Sequence, residues 1–550
     1  RLNYKLFWYY QPLYQWNAQA IVEQFFPLKH IGQFSAHKGL VTIHSLGEDP
    51  IFWSRDVDFA SIYQNLPQDN PILKYILYTL AVVIALLIVF MNALVHYYQR
   101  SLHFLPSFGI YFLFPFVLAL IVAMSAVSQY NYHPDEHHHF LTAQYYVDHW
   151  LPPEIGDPAT RATYSGYGAS YINTPGIDYF LAGKFAWLVS PFFEQEIIAV
   201  RVFNVSLFLL LIVIYGYRSR YERTQLLPLT VVLITPQIWY IFGYINGDAF
   251  ALFLSFILIS EITYRRSPFN QFLTAKTFKF FSGGLLFGIL LALLYLSKTN
   301  YHVFILFMGV WFIYSAIKYD AKKLIIDKRK VVRFGFIVVI ALVTVMARSA
   351  LHVAINGFDY QAKLRAYQQQ IAQVGYRHVT TTAKSSLPNT CGINSPNALI
   401  NQNVSYLELF TDRQWHIISF ASFVGLYGIM SIISPRDYYI LMGILYAGFL
   451  SFLALSVLFS KKLKAISLMI ISLSFVGLMI FISSYHSWTC DFQPQGRYWF
   501  PVMAILGLLI YQTQAYLNNI LAHFFIISLF SLSAYSFIFV ALYRYGTLYY

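Results

Sequence analysis

Ionisable residues are scarce in this chain, and acids scarcest: 24 Asp and Glu stand against 37 Lys and Arg in 550 residues, and only 11% of positions are charged. Roughly a quarter of the residues of a soluble protein carry charge, so an ordinary soluble domain is excluded. Cysteine is rarer still. Cys391 and Cys490, with no CxxC pair, argue against a zinc or iron–sulfur centre built from thiolates. No Gly-rich phosphate loop of P-loop or Rossmann spacing occurs, nor any internal repeat or low-complexity segment. What is present is apolar: 58% hydrophobic residues and a mean hydropathy of +0.53 describe a polytopic membrane protein. The net charge of +13 lies mostly in short loops between apolar runs, where it sets membrane orientation and meets anionic headgroups, so no nucleic-acid partner is read from it. The chain opens at Arg1 without Met or a signal-like run, so an upstream segment is expected.

Residues 1–72 contain no stretch of the ~20 apolar residues that a crossing needs. Val41–His44 and Ile51–Trp53, set between polar turns, predict a small β-containing extracytoplasmic cap. From residue 73 to 550 the pattern predicts an all-α domain of about 12 transmembrane helices. They are placed near 73–95, 108–128, 198–217, 227–244, 247–264, 280–297, 302–318, 334–354, 438–459, 465–484, 498–516 and 520–541. The basic clusters Arg218–Arg223, Arg265–Lys279, Lys318–Arg333 and Lys461–Lys464 fall on one side under a single alternation, and the positive-inside rule makes that side cytoplasmic. Residues 1–72, the 129–197 loop with its amphipathic helices, the 355–437 loop and the 485–497 loop are then expected outside. Trp415–Ser434 is apolar enough to cross, but a crossing would put Lys461, Lys462 and Lys464 outside, so it is read as an interfacial or re-entrant helix. Cys391 and Cys490 fall in two outer loops and are expected to form a disulfide.

One outer stretch concentrates the rare residues: Asn131-Tyr132-His133-Pro134-Asp135-Glu136-His137-His138-His139-Phe140. Pro134 disfavours helix at His133 and suits a helix beginning near Asp135, which would put two carboxylates at a positive helix end. Other charges sit at the outer ends of spans: Asn246-Gly247-Asp248, Lys298, Arg348 with His352, and Arg497 within Gln495-Gly496-Arg497-Tyr498. Ionisable residues at membrane depth usually face a cavity, so all of these are candidates for one outer site. Each also has a plainer reading: a charged helix start for Asp135 and Glu136, a helix cap for Asp248, a snorkelling cation for Lys298. His133 and His137, four apart, would bind a divalent metal only if one helix carried both.

Pro134-Asp135-Glu136 followed by His139-Phe140 resembles the PDExxHF signature of a family of bacterial membrane proteins placed in the GT-C superfamily of membrane glycosyltransferases. The Asn-Gly-Asp and Gln-Gly-Arg-Tyr patterns recur in that family as well, whereas its signature does not require three consecutive histidines. The resemblance implies a GT-C-like fold and transfer of a sugar from a polyprenyl-phosphate donor to a glycan, lipid or protein acceptor. It places the chemistry on the extracytoplasmic face of the plasma membrane. Under it, Asp135 is the general base and Glu136 orients acceptor or base. Arg497, Lys298 and Arg201 hold the donor phosphate, while Asp248, Asn246, His139 and Tyr498 contact substrate. No cofactor is assigned, and a divalent metal at His133 and His137 stays an alternative. Two other readings stay open: a transporter or flippase of a lipid-linked anionic glycan, and a non-catalytic assembly subunit.

Overall fold

The computed structural model describes residues 106, 108–165, 168–275, 277, 281–320, 323–377, 398–490 and 492–547, with three short N-terminal segments at 3–6, 31–37 and 40–45. Those segments are strands β1 (Asn3–Leu6), β2 (Ile31–His37) and β3 (Leu40–Ser45), paired antiparallel with β3 in the middle. The span expected at 73–95, the Ile51–Trp53 strand and Cys391 lie outside the described residues.

The rest is helical. In order come α1 (Phe108–Val127), α2 (Glu136–Asp148), α3 (Asp178–Val189) and α4 (Glu196–Ser219). They are followed by α5 (Pro236–Phe242), α6 (Gly247–Thr263), α7 (Pro268–Thr274), α8 (Phe281–Ser297) and α9 (His302–Ala316). After a short β4–β5 hairpin (Ile317–Asp320, Lys323–Ile326) come α10 (Lys328–Asn356), α11 (Tyr360–Arg377) and α12 (Trp415–Gly425). The last are α13 (Arg436–Phe459), α14 (Leu463–Thr489), α15 (Phe500–Thr513), α16 (Asn519–Tyr535) and α17 (Tyr543–Thr547). Among the described residues six helices are long and apolar enough to cross a membrane, or up to eight if each of two bent pairs counts as one span. The chain is a multi-pass membrane protein.

Helix α6 is apolar all round and almost wholly buried, as a helix without a polar stripe must be. It packs against α4, α8 and α15. α10, by contrast, presents Val332, Val339, Leu342, Val343 and Met346 outward, an apolar face suited to lipid. Charge collects at the two ends of the bundle. Arg201 and Arg218 lie 17 positions apart on α4, about 26 Å at 1.5 Å per residue. Arg218 pairs with Glu261 at one end of α6, while Asp248 marks the other.

Two expectations change. The span expected at 227–244 is not straight: a 3₁₀ helix over Arg223–Leu233 meets α5 at 90°. Pro236 starts α5 and holds Thr235 extended at φ −140°, ψ 123°. Trp415–Ser434 is not one continuous helix. α12 runs into a two-stranded hairpin (Leu426–Tyr427 with Ile432–Ile433), and Trp415, Val424 and Tyr427 are fully buried.

Candidate active site

Between α1 and α2 the chain turns sharply. Asn131 and Asp135 both take left-handed backbone angles, φ 65° and φ 56°, a conformation that Asn and Asp tolerate better than other side chains. Asp135 precedes the first residue of α2 without using its carboxylate to cap it. The side chain, 37% exposed, instead faces Arg497, with Oδ2 3.7 Å from Nη2. Arg497 arrives from a different element, the 3₁₀ turn Gly496–Trp499 that leads into α15. That turn is held close to α12: a Cβ on Gly496 would stand 2.2 Å from Phe423 N and 2.4 Å from Ser419 O, so only glycine fits.

Beside this pair lies a second. Asp248, in the first turn of α6, is fully buried with Oδ2 3.4 Å from Nζ of Lys298, which follows the last residue of α8. Neither Asp248 oxygen has a hydrogen-bond partner among the described residues, and Nε of Arg497, Oε1 of Gln495 and Nδ2 of Asn300 are likewise buried and unpartnered. His139, one turn along α2, is buried with Nδ1 2.6 Å from the Tyr179 hydroxyl and its ring against Tyr171. Burial holds its imidazole well below the usual range, and the charges of Lys298 and Arg497 push the same way. Tyr498 hydrogen-bonds Gln493, and its ring lies 5.8 Å from the Arg497 guanidinium. Asp135, Asp248, Lys298, Arg497, His139 and Tyr498, spread over 364 positions of sequence, thus gather at one end of the bundle.

Three expected site residues are engaged elsewhere. Glu136 is fully buried and receives Arg201 in a fork, Nε to Oε1 at 2.7 Å and Nη2 to Oε2 at 2.8 Å. The remaining Arg201 N–H groups donate to the carbonyls of Ser125, Ser128 and Gln129, so all five are used and none is left for a phosphate. The pair fastens the acidic loop to the carbonyl end of α1. Asn246 caps α6 through Ala249 N and donates to the carbonyls of Ile241 and Tyr244, so its amide too is locally engaged.

The metal reading of His133 and His137 does not hold either, because Pro134 and the turn at Asp135 keep them off a common helix. His133 is buried 2.7 Å from the Tyr240 hydroxyl and 3.1 Å from that of Tyr545, while His137 meets Tyr130 on the exposed side. Among the described residues no cluster of three or more His, Cys, Asp or Glu side chains is spaced to hold a metal ion. Arg348 donates to the carbonyls of Pro175 and Gly176 and so braces the approach to α3.

The sequence reading missed Asp178. It is buried at the start of α3, with Oδ2 2.5 Å from where a Cβ on Gly247 would stand. Its signal was present: one of only 24 acids, two positions after Pro175-Gly176 and ahead of an apolar helical run.

No protein-family profile and no curated protein sequence matches the chain. Its fold is similar to the crystal structure of the Archaeoglobus fulgidus oligosaccharyltransferase tethered by a disulfide to an acceptor peptide containing the NVT sequon, with TM-score 0.37 and 13% identity. The match covers 79% of this chain and 55% of that one, so the chain spans about half the length of that protein.

Proposed function

We propose that the chain is a GT-C-type membrane glycosyltransferase that moves a sugar, inverting at the anomeric carbon, from a polyprenyl-phosphate carrier to a glycan, lipid or protein acceptor. One observation carries this reading: a half-exposed carboxylate, Asp135, faces the cation Arg497 beside the buried Asp248–Lys298 pair. Such a transfer needs a base on one side of the anomeric carbon and cations on the other. Asp135 takes the proton of the acceptor hydroxyl as its oxygen bonds to the anomeric carbon. The bond from that carbon to the phosphate oxygen breaks, and the departing lipid phosphate is held by Arg497 and Lys298. His139 and Tyr498 border the sugar, and the orphaned polar atoms of Asp248, Asn300 and Gln495 are suited to its hydroxyls. Glu136 and Arg201 keep the loop in place without touching substrate. With the basic loops cytoplasmic, the site opens on the extracytoplasmic face of the plasma membrane.

A transporter of a lipid-linked anion is the second reading. The 90° break between Leu233 and Pro236 favours it, because broken helices are a transporter device. Purified protein in vesicles loaded on one side with polyprenyl-phosphoryl hexoses or pentoses separates the two. Sugar transfer with release of polyprenyl phosphate, lost in Asp135→Asn, supports the enzyme. Movement of intact lipid-linked sugar between leaflets, unaffected by Asp135→Asn, supports the transporter.

A further inference from the structure

The Asp178 carboxyl is an ionisable group of this cluster that the transfer step leaves unused. It accepts the backbone N–H groups of Asp178 and Tyr179 at the start of α3, so its oxygens are fixed in place. Over Gly247 it crowds the same space as Lys298: the missing Cβ would lie 2.5 Å from Asp178 Oδ2 and 3.3 Å from Lys298 Cε. The charge inventory is uneven. Asp135 pairs with Arg497 and Asp248 with Lys298, but the third carboxylate has no cation of its own among the described residues.

The groups around it do not change that balance. From α2 come His139, hydrogen-bonded to the Tyr179 hydroxyl, and the phenol of Tyr146; from α6 comes Asp248; from the end of α8 comes Lys298. Arg348 on α10 is bound to the carbonyls of Pro175 and Gly176 and to Tyr146. Burial pushes the Asp178 carboxyl up to about 7; Lys298 opposes the rise and Asp248 adds to it. An anionic phosphate arriving between Arg497 and Lys298 brings one more negative charge into a buried cluster that already holds an unmatched one.

We propose that Asp178 is a third carboxylate of the donor site, a positioning residue that takes up a proton from solvent when the phosphate of the donor binds. The neutral carboxyl removes the unmatched negative charge from the space that Lys298 and Asp248 share with the arriving phosphate. This rests on the donor reading given above. The free and bound states differ by one phosphodiester and one proton, with no bond made or broken in the chain.

The test is calorimetric titration of the purified full chain with farnesyl methyl phosphate, a phosphodiester whose single charge does not titrate near neutral pH. It is run at pH 8 in two buffers of different ionisation heat. The wild type is expected to take up about half a proton or more, and its affinity to weaken by up to about tenfold per pH unit above pH 7. Asp178→Asn is expected to bind the diester without proton uptake and without that pH dependence. A purely structural role for Asp178 would lower the melting temperature but leave the two buffers in agreement. Binding by the wild type with no uptake, or uptake that persists in Asp178→Asn, overturns the proposal and leaves the donor reading standing. Failure of the wild type to bind the diester overturns both. If Asp178→Asn does not fold, the two-buffer comparison on the wild type decides alone.

Discussion

Asp135 and Glu136 are adjacent in sequence but face opposite partners: Asp135 looks across a half-open space to Arg497 at 3.7 Å, and Glu136 turns inward onto Arg201 at 2.7 Å. Only the first has a carboxylate left for chemistry. Substitution separates the two. Glu136→Gln leaves a buried guanidinium uncompensated and should cost about 3–5 kcal/mol of stability, read as a large drop in melting temperature in detergent. Asp135→Asn should leave the melt nearly unchanged and lower transfer by roughly 10²–10⁴-fold. The reverse pattern would exchange their roles.

Arg497→Ala and Lys298→Ala should raise KM for the lipid donor and lower kcat together, since a phosphate contact acts before and during the transition state. Arg497→Lys should recover little, because a point charge does not reproduce the guanidinium's spread of donors. Steady-state kinetics with donor varied would reveal a purely catalytic effect as an unchanged KM.

Two glycines are under steric control. Alanine at Gly496 would meet the α12 backbone at 2.2–2.4 Å, and alanine at Gly247 would meet Asp178 Oδ2 at 2.5 Å. Backbone yields less readily than a side chain. Gly496→Ala should therefore destabilise by about 1–3 kcal/mol or more, and Gly247→Ala should cost less stability while impairing donor binding. Equal melting temperatures for Gly496→Ala and wild type would contradict this packing.

Acid stability has a computable sign. His133 and His139 are buried with imidazoles held well below their usual range, first by burial and then by nearby cations: Arg201 for His133, Lys298 and Arg497 for His139. A base depressed in the folded state contributes stability above its unfolded pKa of about 6.5 and loses it as pH falls, by about 1.4 kcal/mol per pH unit for each histidine. Asp178, raised from 3.8 to about 7, acts oppositely: its contribution is complete below pH 3.8 and is lost as pH rises to about 7. As pH falls below about 6.5 the two histidines outweigh the single acid, so stability should fall on acidification from neutrality. Asp178→Asn should steepen that fall and His139→Gln should flatten it, measured by denaturant unfolding across the range.

Cys391 and Cys490 are expected to be joined. Peptide mass spectrometry without reductant should recover the linked pair. Reduction should lower stability by up to about 4 kcal/mol if the closed loop of roughly a hundred residues sets the effect. Recovery of both cysteines as free thiols would end that expectation.

Asp135, Asp248, Lys298 and Arg497 were legible because a charge beside an apolar run is costly wherever it stands, so position along the chain was enough to mark each one. The inward turn of Glu136 was not legible, since it depends on Arg201, 65 positions away, and on three carbonyls at the end of α1. Asp178 was overlooked because its importance comes from a contact over Gly247 that sequence spacing does not encode. The long helices α1, α4, α10, α13, α14 and α16 follow their hydrophobic runs. The break at 233–236 was readable in principle from Pro228 and Pro236, but hydropathy averages across it.

The tie between His133 and Tyr545 joins positions 412 residues apart. During synthesis at about 5–20 residues per second, the acidic turn is made tens of seconds before the segment that steadies it exists. Every acid and cation of the site is already in place along the chain by residue 497, but the stack of His133 on Tyr244, with the Tyr240 and Tyr545 hydroxyls at its edge, closes only when α17 arrives. The acidic turn therefore has its full set of contacts only in chains that extend through α17.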